Sequence, residues 1–288
     1  MRHWRLWTGA PRMIRYAIQS LKHQLLWRVL RRRTILAVAP EFGVRLRVAA
    51  ADAVGRRIYK RGSLDAERTR HLLHHVPWAD GDVILDIGAH IGWYSLCLDR
   101  NVAAAVRILA FEPNAENRAL LQSNVQLNGA SRVTVVDRAV SDRAGTQRLY
   151  LYAKKNQGRH SLLPIHDGEI EEVKSVALDE YLPSVGVDPE RVAFMKLDIE
   201  GGELQALRGA GTLVGVVPRL LLEFSPGLMR RAGQEPRELL DMLFGAGYTA
   251  WDVDGTAPVQ VYRSDLEAAQ DQRDHLWCLA GAWQAERR

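Results

Sequence analysis

Val83-Ile84-Leu85-Asp86-Ile87-Gly88-Ala89-His90-Ile91-Gly92 decides the fold of this chain. Its apolar start reads as a buried strand, and a helical pattern follows from Trp93 through Leu96 and Leu98. In a doubly wound sheet, ligands bind where the carboxyl end of a strand turns into the next helix. Glycine lets backbone and ligand approach closely there. A dinucleotide site needs G-x-G-x-x-G, so that a pyrophosphate rests on the helix N-terminus. Here Gly88 and Gly92 stand four apart, with Ala89 and His90 between them and Asp86 two residues ahead. That acid repels a pyrophosphate but suits a ligand with an ammonium group, such as S-adenosylmethionine.

The following segments agree. Ile108-Leu109-Ala110-Phe111-Glu112 reads as the next strand. Its terminal carboxylate can accept both hydroxyls of a ribose, or else cap the helix that starts at Asn114. Val133 to Asp137 is a third strand, and Asp137 or Ser141-Asp142 could face an adenine amino group or lie in a surface turn. Further strands are read at 193–198, 219–224, 248–253 and 276–280, with helices at 114–128, 202–208 and 235–246. Repeated βα units imply an α/β protein with a doubly wound, mostly parallel seven-stranded sheet.

The fourth strand runs into Lys196-Leu197-Asp198-Ile199-Glu200-Gly201-Gly202-Glu203, and Leu207-Arg208-Gly209-Ala210 follows. With Asp86-Ile87-Gly88-Ala89-x-x-Gly92 and Phe111-Glu112-Pro113, this block resembles the FkbM-type methyltransferases over roughly residues 80–280. The resemblance implies a class I, Rossmann-like methyltransferase sheet, S-adenosylmethionine as cofactor and methylation of a hydroxyl. At position 90 the family more often carries asparagine than histidine.

The implied reaction moves an activated methyl group, so the protein must align the reactants and remove a hydroxyl proton. Asp198 is the first candidate for acceptor-side chemistry. Glu200 is close enough in sequence to perturb it, and Lys196 could pair with an acid or hold an acceptor oxygen. Glu223 ends the fifth strand, and His160 lies in a polar loop, 154–162, that resembles the family's Asn-x-Gly-x-x-Ser region. Glu203 reads as satisfying the amides of its own helix. No metal site is expected. A divalent ion between Asp198 and Glu223 would need loss of activity in EDTA to support it. His71, His74 and His75 read as a solvated helix face, and Cys97 and Cys278 as core residues.

Charge is unevenly placed. Nine of the 39 basic residues fall in residues 1–40, which hold no acid, so the remainder carries a small acidic excess. From Arg12 to Leu30 this arm looks helical, with Ile14, Ile18, Leu21, Leu25 and Leu26 at helical spacing and Trp4, Trp7 and Trp27 beside them. Such a segment suits an anionic membrane surface through residues 1–33, though it could dock on protein or be a transit peptide. It is too polar to span a bilayer, and nothing reads as a nucleic-acid site. The expected organisation is an arm at 1–40, a lead-in strand and helix at 41–80 and the methyltransferase domain at 81–288. The expected location is cytoplasmic, at most peripheral at the inner membrane surface. The acceptor is a small molecule or glycan hydroxyl. Two rival readings are a nucleotide-dependent oxidoreductase and a catalytically silent cofactor-binding protein docking through its arm.

Overall fold

The computed structural model describes residues 12–153, 156–165, 167–253, 258–270 and 274–280. Helix α1 (Arg12–Gln24) widens into a π turn at Leu25–Val29. A hairpin of β1 (Thr34–Ala39) and β2 (Val44–Ala49) follows, then α2 (Ala53–Arg61) and α3 (Ala66–His75). β1 thus lies within the first 40 residues, beyond the helical part of the arm. Ile35, Ala37 and Ala39 are buried at every second position, as a strand requires.

The α/β succession starts with β3 (Val83–Ile87), α4 (Trp93–Asn101), β4 (Arg107–Phe111), α5 (Ala115–Asn128) and β5 (Val133–Val136). An insertion then supplies β6 (Ala139–Val140), β7 (Gly145–Tyr150) and β8 (Ile170–Val176), which form their own small sheet, before α6 (Leu178–Ser184). The chain continues through β9 (Val192–Leu197), α7 (Glu203–Arg208), β10 (Arg219–Phe224), α8 (Pro226–Arg231) and α9 (Pro236–Gly245). It ends with β11 (Tyr248–Asp252), β12 (Val259–Val261), α10 (Arg263–Ala268) and β13 (Asp274–Ala280).

The main sheet runs β12-β11-β13-β10-β9-β3-β4-β5. Seven of these strands are the ones legible in the sequence, and the eighth, β12, is a short edge strand paired to β11. The run from β10 to β5 is parallel, while β13 is antiparallel to both of its neighbours. The chain winds outward from β3 to β5, then returns to place β9 on the other side of β3. The switch point therefore lies beyond the carboxyl ends of β3 and β9, where an open α/β sheet binds its ligand.

Alternate strand residues feed two cores. Leu85, Ile87, Leu109 and Met195 pack with α6, α7 and α9 on one face. Ile84, Ile108, Phe194 and Trp277 pack with α4 and the β1–β2 hairpin on the other. Asn124 of α5, fully buried, ties that hairpin down. Its Oδ1 accepts from Arg47 N (2.6 Å), and its Nδ2 donates to Arg47 O (3.1 Å) and Ile91 O (2.9 Å). Asn128 repeats the pattern one turn on with the backbone of Arg45. Alanine at 124 removes the partner of three backbone groups, one of them buried and two part-buried, so Asn124→Ala is expected to cost about 2–3 kcal/mol in urea unfolding.

Candidate active site

Two cavities open side by side at the switch point. The first opens between the ends of β3, β4 and β9 and the inserted small sheet, with Phe111, Glu112, Val140, Leu162 and Ile199 in its wall. The second, a larger cleft, is more polar, and Arg57, Asp65, Arg68, Glu223 and His275 line it. Gly88, His90, Gly158, Asp198 and Glu200 belong to both walls. The cavities thus meet at the end of β9.

Glu112 ends β4 as the sequence suggests. It is 6% exposed, and its carboxylate accepts from His90 N (2.8 Å) and Asn114 N (3.0 Å). Burial outweighs these hydrogen bonds and pushes its pKa up to about 7. The helix cap that competed with the ribose reading belongs to Asn114, whose side chain accepts from Asn117 N. Glu112 is left to close the β3 turn and face the cavity.

The β3 turn itself answers mainly to packing within the protein. At Gly88 φ is +76°, and a Cβ would overlap the Asp198 carbonyl oxygen. Gly92 sits at φ +92°, where a Cβ would strike Leu121, and it lines neither cavity. Ala89 lines only the cleft. His90 holds φ +52°. Asparagine and histidine tolerate that left-handed conformation better than most residues, which gives a backbone reason for either one at this position. Burial keeps its imidazole pKa below the ordinary value.

Two acids stand elsewhere than the cofactor reading puts them. Asp86 is 1% exposed and lines neither cavity. Its Oδ2 accepts from Ser95 N (3.1 Å) and Ser95 Oγ (2.6 Å), fixing the start of α4, while Oδ1 lies 3.6 Å from Lys196 Nζ. Strand β3 turns this side chain under α4 rather than out of the sheet end. Asp137 follows the edge strand β5, is exposed, and pairs with Arg118 at 2.9 Å outside the cavity wall.

Lys196 is 4% exposed and stitches β9 to β3. Its ammonium donates to Gly88 O (3.0 Å) and Ile87 O (3.3 Å) and lies 3.6 Å from both Asp86 and Asp198. These acids hold its pKa above the usual lysine value against the opposing effect of burial. Asp198 is the less enclosed partner, with its side chain 28% exposed at the junction of the cavities. Glu200 is 4% exposed, sits at φ +59°, and lies 4.0 Å from Arg159. Glu203 is fully buried, and its carboxylate accepts from Ile199 N, the backbone just ahead of its helix. Burial and the nearby Glu223 push its pKa up to about 8.

The polar loop roofs the first cavity. Lys154 and Lys155 lie outside the described residues. Gln157 N donates to Asp52 Oδ1 (2.8 Å) and Gln157 Nε2 to Glu116 (2.8 Å), while Ser161 Oγ donates to Glu200 O (2.9 Å). The roof is thereby fastened to α2, α5 and the acidic block. His160 lines the cavity, and its Nδ1 accepts from Tyr152 N (2.9 Å).

Residues missed in the sequence come from distant elements. His275 of β13 sits opposite Glu223 in register, with Nε2 3.8 Å from Asp198 Oδ2. Arg57, Asp65 and Arg68 reach the cleft from the lead-in region. Neighbouring acids are their only legible signal, and Arg68 pairs with Asp65 at 3.3 Å. His71 and His75 are half-buried rather than solvated, stacked on each other and, for His71, set edge-on against Trp277. Cys97 and Cys278 are buried thiols.

Fold and site together define an α/β protein with a ligand cavity at its switch point, a buried carboxylate at the end of β4 and an acidic block at the end of β9. The chain belongs to the methyltransferase FkbM domain family, which matches residues 86–250, more than half of its length. Methyltransferase sdnD of Sordaria araneosa is 32% identical over 154 residues, covering 44% of this chain and 59% of that protein. Methyltransferase 1 of Beauveria bassiana is 29% identical over 151 residues, covering 46% and 60%. The chain thus spans about three-fifths of the length of these relatives. A methyltransferase FkbM crystal structure from Methylobacillus flagellatus KT overlays with a TM-score of 0.44 at 20% identity, covering 71% of this chain and 45% of that one. The cofactor of this family is S-adenosylmethionine. The first cavity offers that cofactor apolar walls and the buried carboxylate of Glu112.

Proposed function

We propose that this protein transfers a methyl group from S-adenosylmethionine to a hydroxyl of a polar acceptor, most simply a saccharide or glycolipid. The observation that carries this reading is the meeting of an apolar, carboxylate-bearing cavity with a larger polar cleft at Asp198. A nucleoside in the first and an acceptor in the second bring methyl donor and hydroxyl together there. Bound S-adenosylmethionine supplies a methyl group already activated on sulfur. The protein's part is to align the acceptor oxygen and accept its proton. Asp198 is the carboxylate placed for the latter, with Lys196 and Glu200 setting its surroundings. Arginines and acids around the cleft favour a polyhydroxylated partner over an apolar one.

Calorimetric titration of the full chain with S-adenosylmethionine, S-adenosylhomocysteine and NAD tests the reading. Binding of the two adenosyl ligands, weakened by Glu112→Ala, supports it. Binding of NAD alone overturns it. Asp86→Ala is a poor control, because it also removes the partner of Ser95 and Lys196.

The arm supports a finer reading, action at an anionic membrane surface on its cytoplasmic side. No described helix is long and apolar enough to cross a membrane. α1 and its π turn split their faces. His23, 2% exposed, lies 2.9 Å from Ala50 O, and Leu26 and Trp27 pack on the hairpin side. Leu21, Leu25, Val29 and Leu30 are exposed beside Arg28, Arg31, Arg32 and Arg33. Exposed leucines among arginines suit an acidic lipid interface. Trp4 and Trp7 lie outside the described residues. Sedimentation with phosphatidylglycerol vesicles is expected to retain the chain at low salt and to release the triple variant Leu21→Glu, Leu25→Glu, Val29→Glu. Equal retention of both proteins would end this reading.

A further inference from the structure

We propose that Asp198, Glu223 and His275 form a divalent-cation site in the floor of the polar cleft. Each offers one ligand atom, and these atoms all lie within 4.8 Å of one another. That span suits a single ion, since metal–ligand distances of about 2.0–2.4 Å put opposite ligands no more than about 4–5 Å apart. Among the described residues, metal-ligating side chains converge in this way only here. The three side chains come from the ends of β9, β10 and β13, adjacent strands of the rigid sheet, so little ordering is needed to bring them together.

Charge supplies a second argument. Lys196 lies beside this floor, and four carboxylates, Asp198, Asp86, Glu223 and Asp65, act on it. Asp86 and Glu223 are each 1% exposed, so water screens them little. Lys196 spends its hydrogen bonds on the Ile87 and Gly88 carbonyls, and its 3.6 Å separation from Asp198 is too long for another. Carboxylates so little screened by water attract a cation held between them. The imidazole selects against a purely oxygen-loving ion. One nitrogen with two carboxylate oxygens suits Mn²⁺, Fe²⁺ or Zn²⁺, with positions open to the cleft.

The catalytic consequence rests on the methyl-transfer reading, but cation binding does not. Asp198 Oδ2 faces His275 and serves the ion, while its other oxygen takes the acceptor's proton. The open positions hold acceptor oxygens, which favours an acceptor with two neighbouring oxygens, such as a vicinal diol.

The test uses the full chain stripped with EDTA and titrated with MnCl₂, with free Mn²⁺ followed by electron paramagnetic resonance. The wild type is expected to bind one Mn²⁺, and His275→Ala to bind at least about tenfold more weakly. His275→Gln, which keeps volume and polarity in β13, covers the case in which alanine unfolds the strand. Calorimetry with S-adenosylhomocysteine reports on the cofactor cavity, which His275 does not line, so unchanged affinity there shows that each variant is folded. No saturable binding by the wild type, or equal binding by a folded His275 variant, overturns the site. Mn²⁺ binding without adenosyl binding would instead end the methyl-transfer reading and leave the cation site standing.

Discussion

Replacing Asp198 with asparagine is expected to slow methyl transfer by about 10²–10⁴-fold while leaving S-adenosylhomocysteine affinity within about threefold. Asparagine keeps the shape of the side chain and removes its charge and basicity. The fold should survive, because Lys196 keeps Asp86 and the carbonyls of Ile87 and Gly88 as partners. Asp198 is also the more solvent-accessible of the two acids beside that lysine, so losing its charge disturbs the interior least. Glu200→Gln should do less to the rate, since Glu200 is buried beside Arg159 and its backbone carbonyl anchors the roof loop through Ser161. The rate is read with labelled methyl on any acceptor found by screening. A folded Asp198→Asn protein with wild-type turnover would remove Asp198 from the chemistry and pass the proton to another group at the junction.

The parts legible in the sequence were those set by local chemistry. β3, β4, β9 and β10 are short apolar runs because both of their faces are covered, and such runs show without a partner in view. Glu112, Lys196, Asp198 and Glu200 stand at or just past strand ends, so their nearness to the switch point follows from the βα pattern alone. Direction was harder to read than position. Asp86 is as close to a strand end as Glu112, yet the pleat turns it beneath α4 to Ser95. Asp137 also follows a strand, but that strand is the sheet edge, where a carboxylate finds water and Arg118. His275 was least legible. It meets Asp198 only because β13 slides antiparallel between β10 and β11 in a register that sets His275 against Glu223. That pairing joins residues more than fifty positions apart, and no local pattern encodes it.

Cofactor affinity is expected to rise with pH through about 7, and apo stability to fall over the pH range just below it, both because of Glu112. Its pKa is about 7 in the folded chain against 4.5 ordinarily. Between these values the folded protein holds a proton that the unfolded chain has released. The group's stabilising contribution is therefore complete below pH 4.5 and is lost as pH rises to 7. A shift of this size corresponds to roughly 3 kcal/mol, and 6% exposure leaves little solvent screening to reduce it. In the proposed cofactor pose, ribose hydroxyls would donate to the carboxylate and favour its charged form, so binding near neutral pH is expected to release a proton. Lys196 and the amides of Asn114 and His90 already pull the pKa down, and burial outweighs them. His90 and His160 share the cavity wall, so Glu112→Gln isolates the carboxylate. Glutamine gives up one acceptor for a backbone amide, which costs about 1 kcal/mol at any pH. Against that fixed cost, the mutant should gain on the wild type by up to about 3 kcal/mol between pH 4.5 and 8 in urea unfolding. It should also lose both the pH dependence of cofactor binding and the proton release seen by calorimetry in buffers of different ionisation enthalpy. Parallel stability profiles for the two proteins would mean that Glu112 is ionised throughout, its hydrogen bonds outweighing its burial.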